Sequence, residues 1–92
     1  MITLYSKPNC PYCDQAKHYL TTNSIPYEVI NIAEDAAAKE FVLEQGHKTV
    51  PQIYYKDKLL VEGGFSGLSK LLPEEVNRRI EQHANSIKES SQ

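Results

Sequence analysis

Residues 2–20, ITLYSKPNCPYCDQAKHYL, contain the pattern that decides the fold. Residues 2–6 alternate apolar and polar side chains as a β-strand does, and the KPN stretch after them breaks the strand. Pro11 suits the first turn of a helix, where its missing N–H would have no partner. One face of that helix would carry Cys13, Ala16 and Leu20. The segment therefore predicts a strand, a short loop and an amphipathic helix.

The following residues predict further strands and helices with short connections between them. The predicted strands are YEVINI (27–32), PQIYY (51–55) and KLLVE (58–62). The predicted helices are EDAAAKEFVLEQ (34–45), with acids in its first turn and Gly46 as its stop, and FSGLSKLL (65–72). The order β-α-β-α-β-β-α combines a parallel βαβ unit with an antiparallel hairpin. We therefore expect an α/β protein of thioredoxin-like fold with a four-stranded mixed sheet.

Residues 73–92 predict one further helix, which begins at Pro73 and two acids. Its apolar stripe consists of Val76, Ile80, Ala84 and Ile87. Such a stripe more often packs against its own domain than against a partner or a second copy. We expect a domain at residues 1–72 and a helical extension at 73–92 that packs on it, with a frayed SSQ end.

Composition narrows the class of protein. A chain of 92 residues predicts one domain, and its net charge of −2 argues against a general nucleic-acid binder. The start of the chain does not resemble a secretory signal, and no apolar run reaches the ~18 residues of a membrane helix. We expect a cytoplasmic monomer with no membrane and no nucleic-acid partner.

The two cysteines, Cys10 and Cys13, are predicted to lie one helical turn apart. Residues at this spacing are neighbours, within the roughly 4.4–6.8 Å Cα separation that a disulfide accepts. The N-terminus of the helix and nearby Lys7 both favour a thiolate at Cys10. We therefore expect Cys10 to be the exposed nucleophile and the less accessible Cys13 to be the resolving thiol.

A zinc site and a structural disulfide are the alternatives. Zinc usually takes four ligands, whereas this chain has two cysteines and scattered histidines at 18, 47 and 83. A disulfide that closes so short a loop removes little chain entropy and would stabilise the fold only weakly. Both alternatives are therefore less favoured than redox chemistry.

CPYC (10–13), TVPQIY (49–54) and GG (63–64) together resemble the glutaredoxin family. The resemblance runs from residue 2 to about residue 72. It implies a thiol–disulfide oxidoreductase with glutathione as co-substrate and no metal. The implied partners are glutathione and disulfide-containing proteins, and the family resemblance makes ribonucleotide reductase a candidate among the latter.

The resemblance also implies a glutathione site. Val50–Pro51 matches the cis-proline motif of the family, although a trans proline at the start of an edge strand is an alternative. The glycine pair would hold the γ-glutamyl end, and Lys7 would face the glycyl carboxylate, with Lys48 or His47 beside it. The implied binding residues are Lys7, Tyr12, Lys48, Thr49, Val50, Pro51, Gly63, Gly64, Phe65 and Ser66.

One departure from the family affects glutathione selectivity. Many glutaredoxins have aspartates in a GGxDD run, whereas this chain has Ser66 and Gly67. An electron donor reduced by thioredoxin reductase is therefore an alternative. A [2Fe–2S] carrier is a further one, although Pro11 and the competing Cys13 count against it.

Overall fold

The computed structural model describes residues 1–56 and 58–90, and of residues 85–90 it describes the backbone alone. The strands in this part of the chain are β1 (Ile2–Ser6), β2 (Tyr27–Asn31), β3 (Gln52–Tyr55) and β4 (Lys58–Val61). The helices are α1 (Pro11–Thr22), α2 (Ala36–Glu44), α3 (Gly64–Ser69) and α4 (Pro73–Ser90).

The strands form one mixed four-stranded sheet in the order β2-β1-β3-β4. β1 runs parallel to β2, with Ile2 opposite Tyr27, and antiparallel to β3. β3 and β4 form the antiparallel hairpin. The predicted thioredoxin-like arrangement is therefore confirmed, as is the extra helix at the C-terminal end.

The sheet separates two hydrophobic clusters, because successive side chains of a strand point to opposite faces. The larger cluster contains Ile2, Leu4, Ala16, Leu20, Ile53, Val61, Leu68 and Val76. The smaller cluster contains Tyr5, Ala38, Val42 and Tyr54. α1, α3 and α4 thus contribute to the core on one face, and α2 contributes to the core on the other.

The ends of α2 and α3 differ slightly from the predicted ends. Asp35 caps α2, and its side chain accepts a hydrogen bond from the backbone N–H of Ala38 at 3.0 Å. The acidic residues predicted for the first turn therefore precede the helix, since aspartate serves well as an N-cap. Gly46, with φ +85°, follows the C-terminus of α2 as predicted. α3 ends at Ser69 instead of residue 72.

α4 packs on the larger cluster through the first part of its apolar stripe. Val76 is fully buried there, and Ile80 packs against the same cluster. Arg79 donates a hydrogen bond to the carbonyl oxygen of Leu60 at 3.2 Å. The side chain of Ile87 and residues 91–92 of the predicted frayed end lie outside the described residues, whereas the backbone of Ser90 still belongs to α4. The domain division at residue 72 stays a prediction.

α4 is also the longest helix of the described part of the chain. Its first turn carries Glu74 and Glu75. Within the described ranges, no helix has both the length and the apolar character needed to cross a bilayer.

Val76→Ala is expected to lower the free energy of unfolding by about 2 kcal/mol, because it removes two buried methyl groups from the core. Urea unfolding of the reduced protein measures the change. Asn77→Ala, at an exposed position of the same helix, is the matched control. Equal midpoints for the two variants would contradict a stabilising role of α4.

Candidate active site

Cys10 caps the N-terminus of α1. Its backbone is extended (φ −114°, ψ 101°), and Asn9, with φ 58°, turns the chain before it. Pro11 occupies the first helical turn, where the N–H group that proline lacks would have no partner within the helix. The Sγ of Cys10 accepts a hydrogen bond from the backbone N–H of Cys13 at 3.3 Å. This N–H is one of the donors at the start of the helix that have no partner within the helix, and it points at the Cys10 sulfur.

Cys13 lies one turn later and is fully buried on the face that the sequence predicts for it. Both cysteines are free thiols. Burial raises the pKa of Cys13 above its ordinary value of 9.0, and its hydrogen bond with Cys10 acts in the same direction. Hydrogen bonds from the Ser6 side chain and the Lys7 backbone lower the pKa and only partly offset this effect. Cys13 therefore remains a protonated thiol near neutral pH.

Cys10 is less open than the sequence predicts. It is 7% exposed, compared with 0% for Cys13. Its thiol donates a hydrogen bond to the carbonyl oxygen of Val50, with the two atoms 3.7 Å apart, so the loop before Pro51 covers it. The expectation of an exposed nucleophile is thus wrong in degree, although the order of accessibility of the two sulfurs is as expected.

A groove of about 240 Å³ is lined by Val50, whose carbonyl oxygen lies 3.7 Å from the Cys10 sulfur. We call it the cis-proline groove, because the Val50–Pro51 peptide bond is cis, as the resemblance implies. The rings of Tyr12 and Phe65 lie nearly parallel, 6.5 Å apart between centroids. The groove is lined by Tyr12, Thr49, Val50, Pro51, Gly63, Gly64, Phe65 and Ser66. The structure therefore brings together all the implied binding residues except Lys7 and Lys48.

Gly64 allows α3 to begin directly against the cis-proline loop. Its φ is +58°, and a Cβ atom there would lie 2.7 Å from the carbonyl oxygen of Pro51. A side chain would push α3 away from the loop, so the glycine keeps the groove narrow.

Lys7 and Lys48 lie in a second cavity of about 140 Å³, which we call the lysine pocket. The pocket shares Thr49 and Val50 with the cis-proline groove. Its far side is formed by Ile32, Lys39, Val42, Leu43 and His47. Sequence reasoning missed Lys39. The spacing of residues 39, 42 and 43, which share one face of α2, was the only sequence feature that pointed to it. The sequence near these residues does not show that this face borders the cysteines.

His47 contacts β3 as well as the pocket. Its Nε2 is 2.6 Å from the hydroxyl oxygen of Tyr54, and the two rings meet edge to face at 5.7 Å. Tyr54 is buried, and this burial raises its pKa above the usual value. The hydrogen bond therefore anchors the segment that carries Lys48 to the sheet.

The histidines lie apart from one another. His18 is on α1, His47 follows α2, and His83 is on α4, where its ring lies 6.3 Å from that of Tyr55. Across the described residues, no group of three or more His, Cys, Asp or Glu side chains is arranged to hold a metal ion.

The reduced protein is expected to lose stability as the pH rises above 9.0, the ordinary pKa of the Cys13 thiol. Above this pH the unfolded chain has released the Cys13 proton, whereas the folded protein, with its raised pKa, retains it. Since the folded state then binds more protons, the free energy of unfolding falls with increasing pH. Urea unfolding at about pH 8 and about pH 9.5 measures this slope below the titration of most tyrosines.

Cys13→Ser is the matched variant, because its hydroxyl does not titrate in this range. Its slope between the two pH values should be shallower than that of the natural chain. The pKa values of Tyr19 and Tyr54 are also raised, but they affect the free energy of unfolding only above pH 10.0, their ordinary pKa. Equal slopes in the two proteins would contradict the raised pKa of Cys13 as the cause of the pH dependence.

Comparison with known proteins shows which protein family the chain matches. The family model for glutaredoxin matches residues 2–60. A glutaredoxin-like protein NrdH of Lactococcus lactis is 39% identical over 57 residues, which are 62% of this chain and 79% of that protein. Glutaredoxin 3 of Escherichia coli is 35% identical over 54 residues, which are 58% of this chain and 65% of that protein.

A solved structure is similar over most of the chain. The complex of buckwheat glutaredoxin with glutathione matches with a TM-score of 0.69 and 21% identity, over 88% of this chain and 76% of that one. At this identity the likeness concerns the fold.

Proposed function

Because the chain belongs to the glutaredoxin family of thiol–disulfide oxidoreductases, we propose that it reduces disulfides with glutathione as its electron donor. The observation that carries the proposal is the position of Cys10. Its sulfur accepts a helix-start N–H and lies 3.7 Å from the Val50 carbonyl oxygen, at the edge of the cis-proline groove. Cys13 is buried one turn behind it.

The first step is attack by the Cys10 thiolate on one sulfur of a substrate disulfide. A Cys10–substrate disulfide bond forms, the substrate S–S bond breaks, and the second substrate sulfur leaves as a thiolate that takes a proton from water. The Cys13 N–H stabilises the attacking charge, because a hydrogen bond to an ionised acceptor is stronger than one to a neutral acceptor.

The second step releases the captured substrate by one of two routes. When glutathione is the captured group, a second glutathione attacks its sulfur, and glutathione disulfide leaves with Cys10 reduced. When the captured group is a protein, Cys13 loses its proton and attacks the Cys10 sulfur, and the protein leaves as a thiol. Two glutathione molecules then reduce the Cys10–Cys13 disulfide and become glutathione disulfide, so two electrons are transferred in each cycle.

Two cavities that share Thr49 and Val50 support glutathione as the donor. The cysteinyl backbone of glutathione would pair with the backbone of Val50, as an added strand does. The γ-glutamyl carboxylate would face the backbone donors near Gly63 and Gly64, and the glycyl carboxylate would face Lys7 and Lys48. Tyr12 and Phe65 would flank the cysteinyl end.

A second candidate is an electron donor that thioredoxin reductase reduces directly. One observation favours it: Ser66 and Gly67 supply no negative charge where the γ-glutamyl ammonium group would lie. Glutathione then has fewer ionic contacts than a site with aspartates would give it. This candidate uses the same two cysteines and differs only in the source of electrons.

One experiment separates the two candidates. The protein is mixed with a small mixed disulfide and NADPH. One mixture also contains glutathione and glutathione reductase, and the other contains thioredoxin reductase alone. Loss of NADPH absorbance in the first mixture supports the proposal, and loss only in the second supports the alternative. Activity in neither mixture would contradict both.

A further inference from the structure

We propose that the lysine pocket binds acidic residues that follow the target cysteine in a polypeptide substrate. Glutathione would reach only the end of this pocket near Lys7 and Lys48, through its glycyl carboxylate, whereas a longer chain would continue past that point. The inference rests on the proposed function, because the orientation of glutathione sets the direction in which a polypeptide would run.

The pocket and the cis-proline groove meet at Thr49 and Val50, which line both. The Val50 carbonyl oxygen is the backbone atom that lies 3.7 Å from the Cys10 sulfur. A ligand joined to Cys10 can therefore extend in two directions. One leads along the groove towards Gly63, and the other leads into the pocket.

The chemistry of glutathione assigns a chain direction to these two paths. Its γ-glutamyl residue precedes the cysteine and would take the glycine side of the groove, so its glycine points to the pocket. Glutathione ends at that glycine, whereas a polypeptide continues. The pocket, about 140 Å³ in all, extends past the glycyl end to Lys39 and Leu43 of α2, where the following residues would lie.

Charge determines which residues fit. Lys7, Lys39 and Lys48 are all exposed, and no ion pair engages them within the described part of the chain. Among the described residues that line the pocket, none carries a carboxylate. The chain as a whole has a net charge of −2, so this positive charge is local. Carboxylates are the complementary groups, and three lysines around one cavity favour more than one of them.

The wall of the pocket adds an apolar preference. Leu43 is 57% exposed, and beside it Val42 is buried. An apolar side chain placed after the acidic residues would cover Leu43. The expected substrate sequence is therefore a cysteine followed by a small residue, acidic residues and then a large apolar residue.

Two peptides of identical composition test the proposal. One reads Ala-Ala-Ala-Cys-Gly-Asp-Asp-Leu and the other Leu-Asp-Asp-Gly-Cys-Ala-Ala-Ala, both with blocked ends and both supplied as symmetric disulfides. Chemically reduced protein, free of glutathione, reacts with each, and acid quenching followed by mass spectrometry gives the rate. In this reaction the peptide disulfide becomes two thiols, and the Cys10–Cys13 dithiol becomes a disulfide. Each rate is divided by that peptide's rate with dithiothreitol, which removes differences in intrinsic reactivity.

The peptide with acids after the cysteine is expected to react about fivefold faster, which corresponds to a few exposed ion pairs. The ratio should approach one at about 0.5 M salt, because salt screens such pairs. Lys39→Glu should abolish or invert the ratio. Lys58→Glu, at an exposed lysine of β4 outside both cavities, is the matched control and should preserve it.

Equal rates for the two peptides, a faster reaction of the other peptide, or a ratio unchanged by Lys39→Glu would each overturn the proposal. Because the assay contains no glutathione, its result does not depend on the electron donor. A protein that fails with glutathione can still show the ratio, and a protein that uses glutathione can lack it.

Discussion

Cys10→Ser is expected to lower the rate of disulfide reduction by about a thousandfold or more. A serine hydroxyl is not ionised near neutral pH, and its oxygen cannot form the disulfide that the first step requires. The helix-start N–H of Cys13 and the groove remain, so the variant should still fold and present the same cavity. Reduction of a small glutathione mixed disulfide with NADPH and glutathione reductase measures the loss.

Cys13→Ser is the matched control for this result. It leaves the nucleophile, and the Cys13 N–H that faces the nucleophile is a backbone group. The variant should keep most of its activity on glutathione mixed disulfides, because that route uses one cysteine. It should lose reduction of protein disulfides and accumulate a protein–substrate disulfide that mass spectrometry detects. The roles of the two sulfurs would be refuted by an active Cys10→Ser variant.

Gly67→Asp is expected to lower the free energy of unfolding by about 3 kcal/mol, because overpacked positions displace the backbone. The Cβ atom of any side chain at residue 67 would overlap the carbonyl oxygen of Glu62, which is main chain and cannot rotate away. The departure from the GGxDD run is thus part of how α3 packs in this chain. Urea unfolding gives the size of the effect.

Ser66→Asp restores a carboxylate at the neighbouring position without this overlap. Ser66 is exposed and lines the cis-proline groove, so the variant should unfold at nearly the same urea concentration as the natural chain. If glutathione is the donor, its KM should fall about threefold, since the new charge would face the γ-glutamyl ammonium group. Identical unfolding of the Gly67→Asp and Ser66→Asp proteins would contradict the packing argument.

The site around Cys10 and Cys13 followed from local rules. Proline at the first helical turn predicts the start of α1, and a spacing of three places both sulfurs at one end of it. The apolar face of α1 predicts the burial of Cys13, because Ala16 and Leu20 lie on that face in the core. Short-range periodicity therefore explains both the fold class and the order of the two thiols.

The features that sequence reasoning missed depend on contacts between distant segments. Lys39 lines the same pocket as Lys7 only because α2 packs across the sheet near the end of β1. The hydrogen bond between His47 and Tyr54 depends on the path of the loop before the cis proline. The steric limit at Gly67 comes from a carbonyl oxygen in the preceding turn. The periodicity of apolar residues within one segment contains no information about these contacts between segments.

If Cys10 captures a partner as proposed, the depth at which Cys13 lies sets how long that partner stays attached. Release by the intramolecular route needs the Cys13 anion. Burial, the largest cause of the raised pKa of Cys13, does not require a free Cys10 thiol and keeps that anion scarce at neutral pH. Below this pKa, each unit of acidification lengthens the lifetime of the covalent complex about tenfold. Mild acid should therefore preserve adducts of the unaltered protein long enough to isolate them, so that its natural clients can be identified without any mutation.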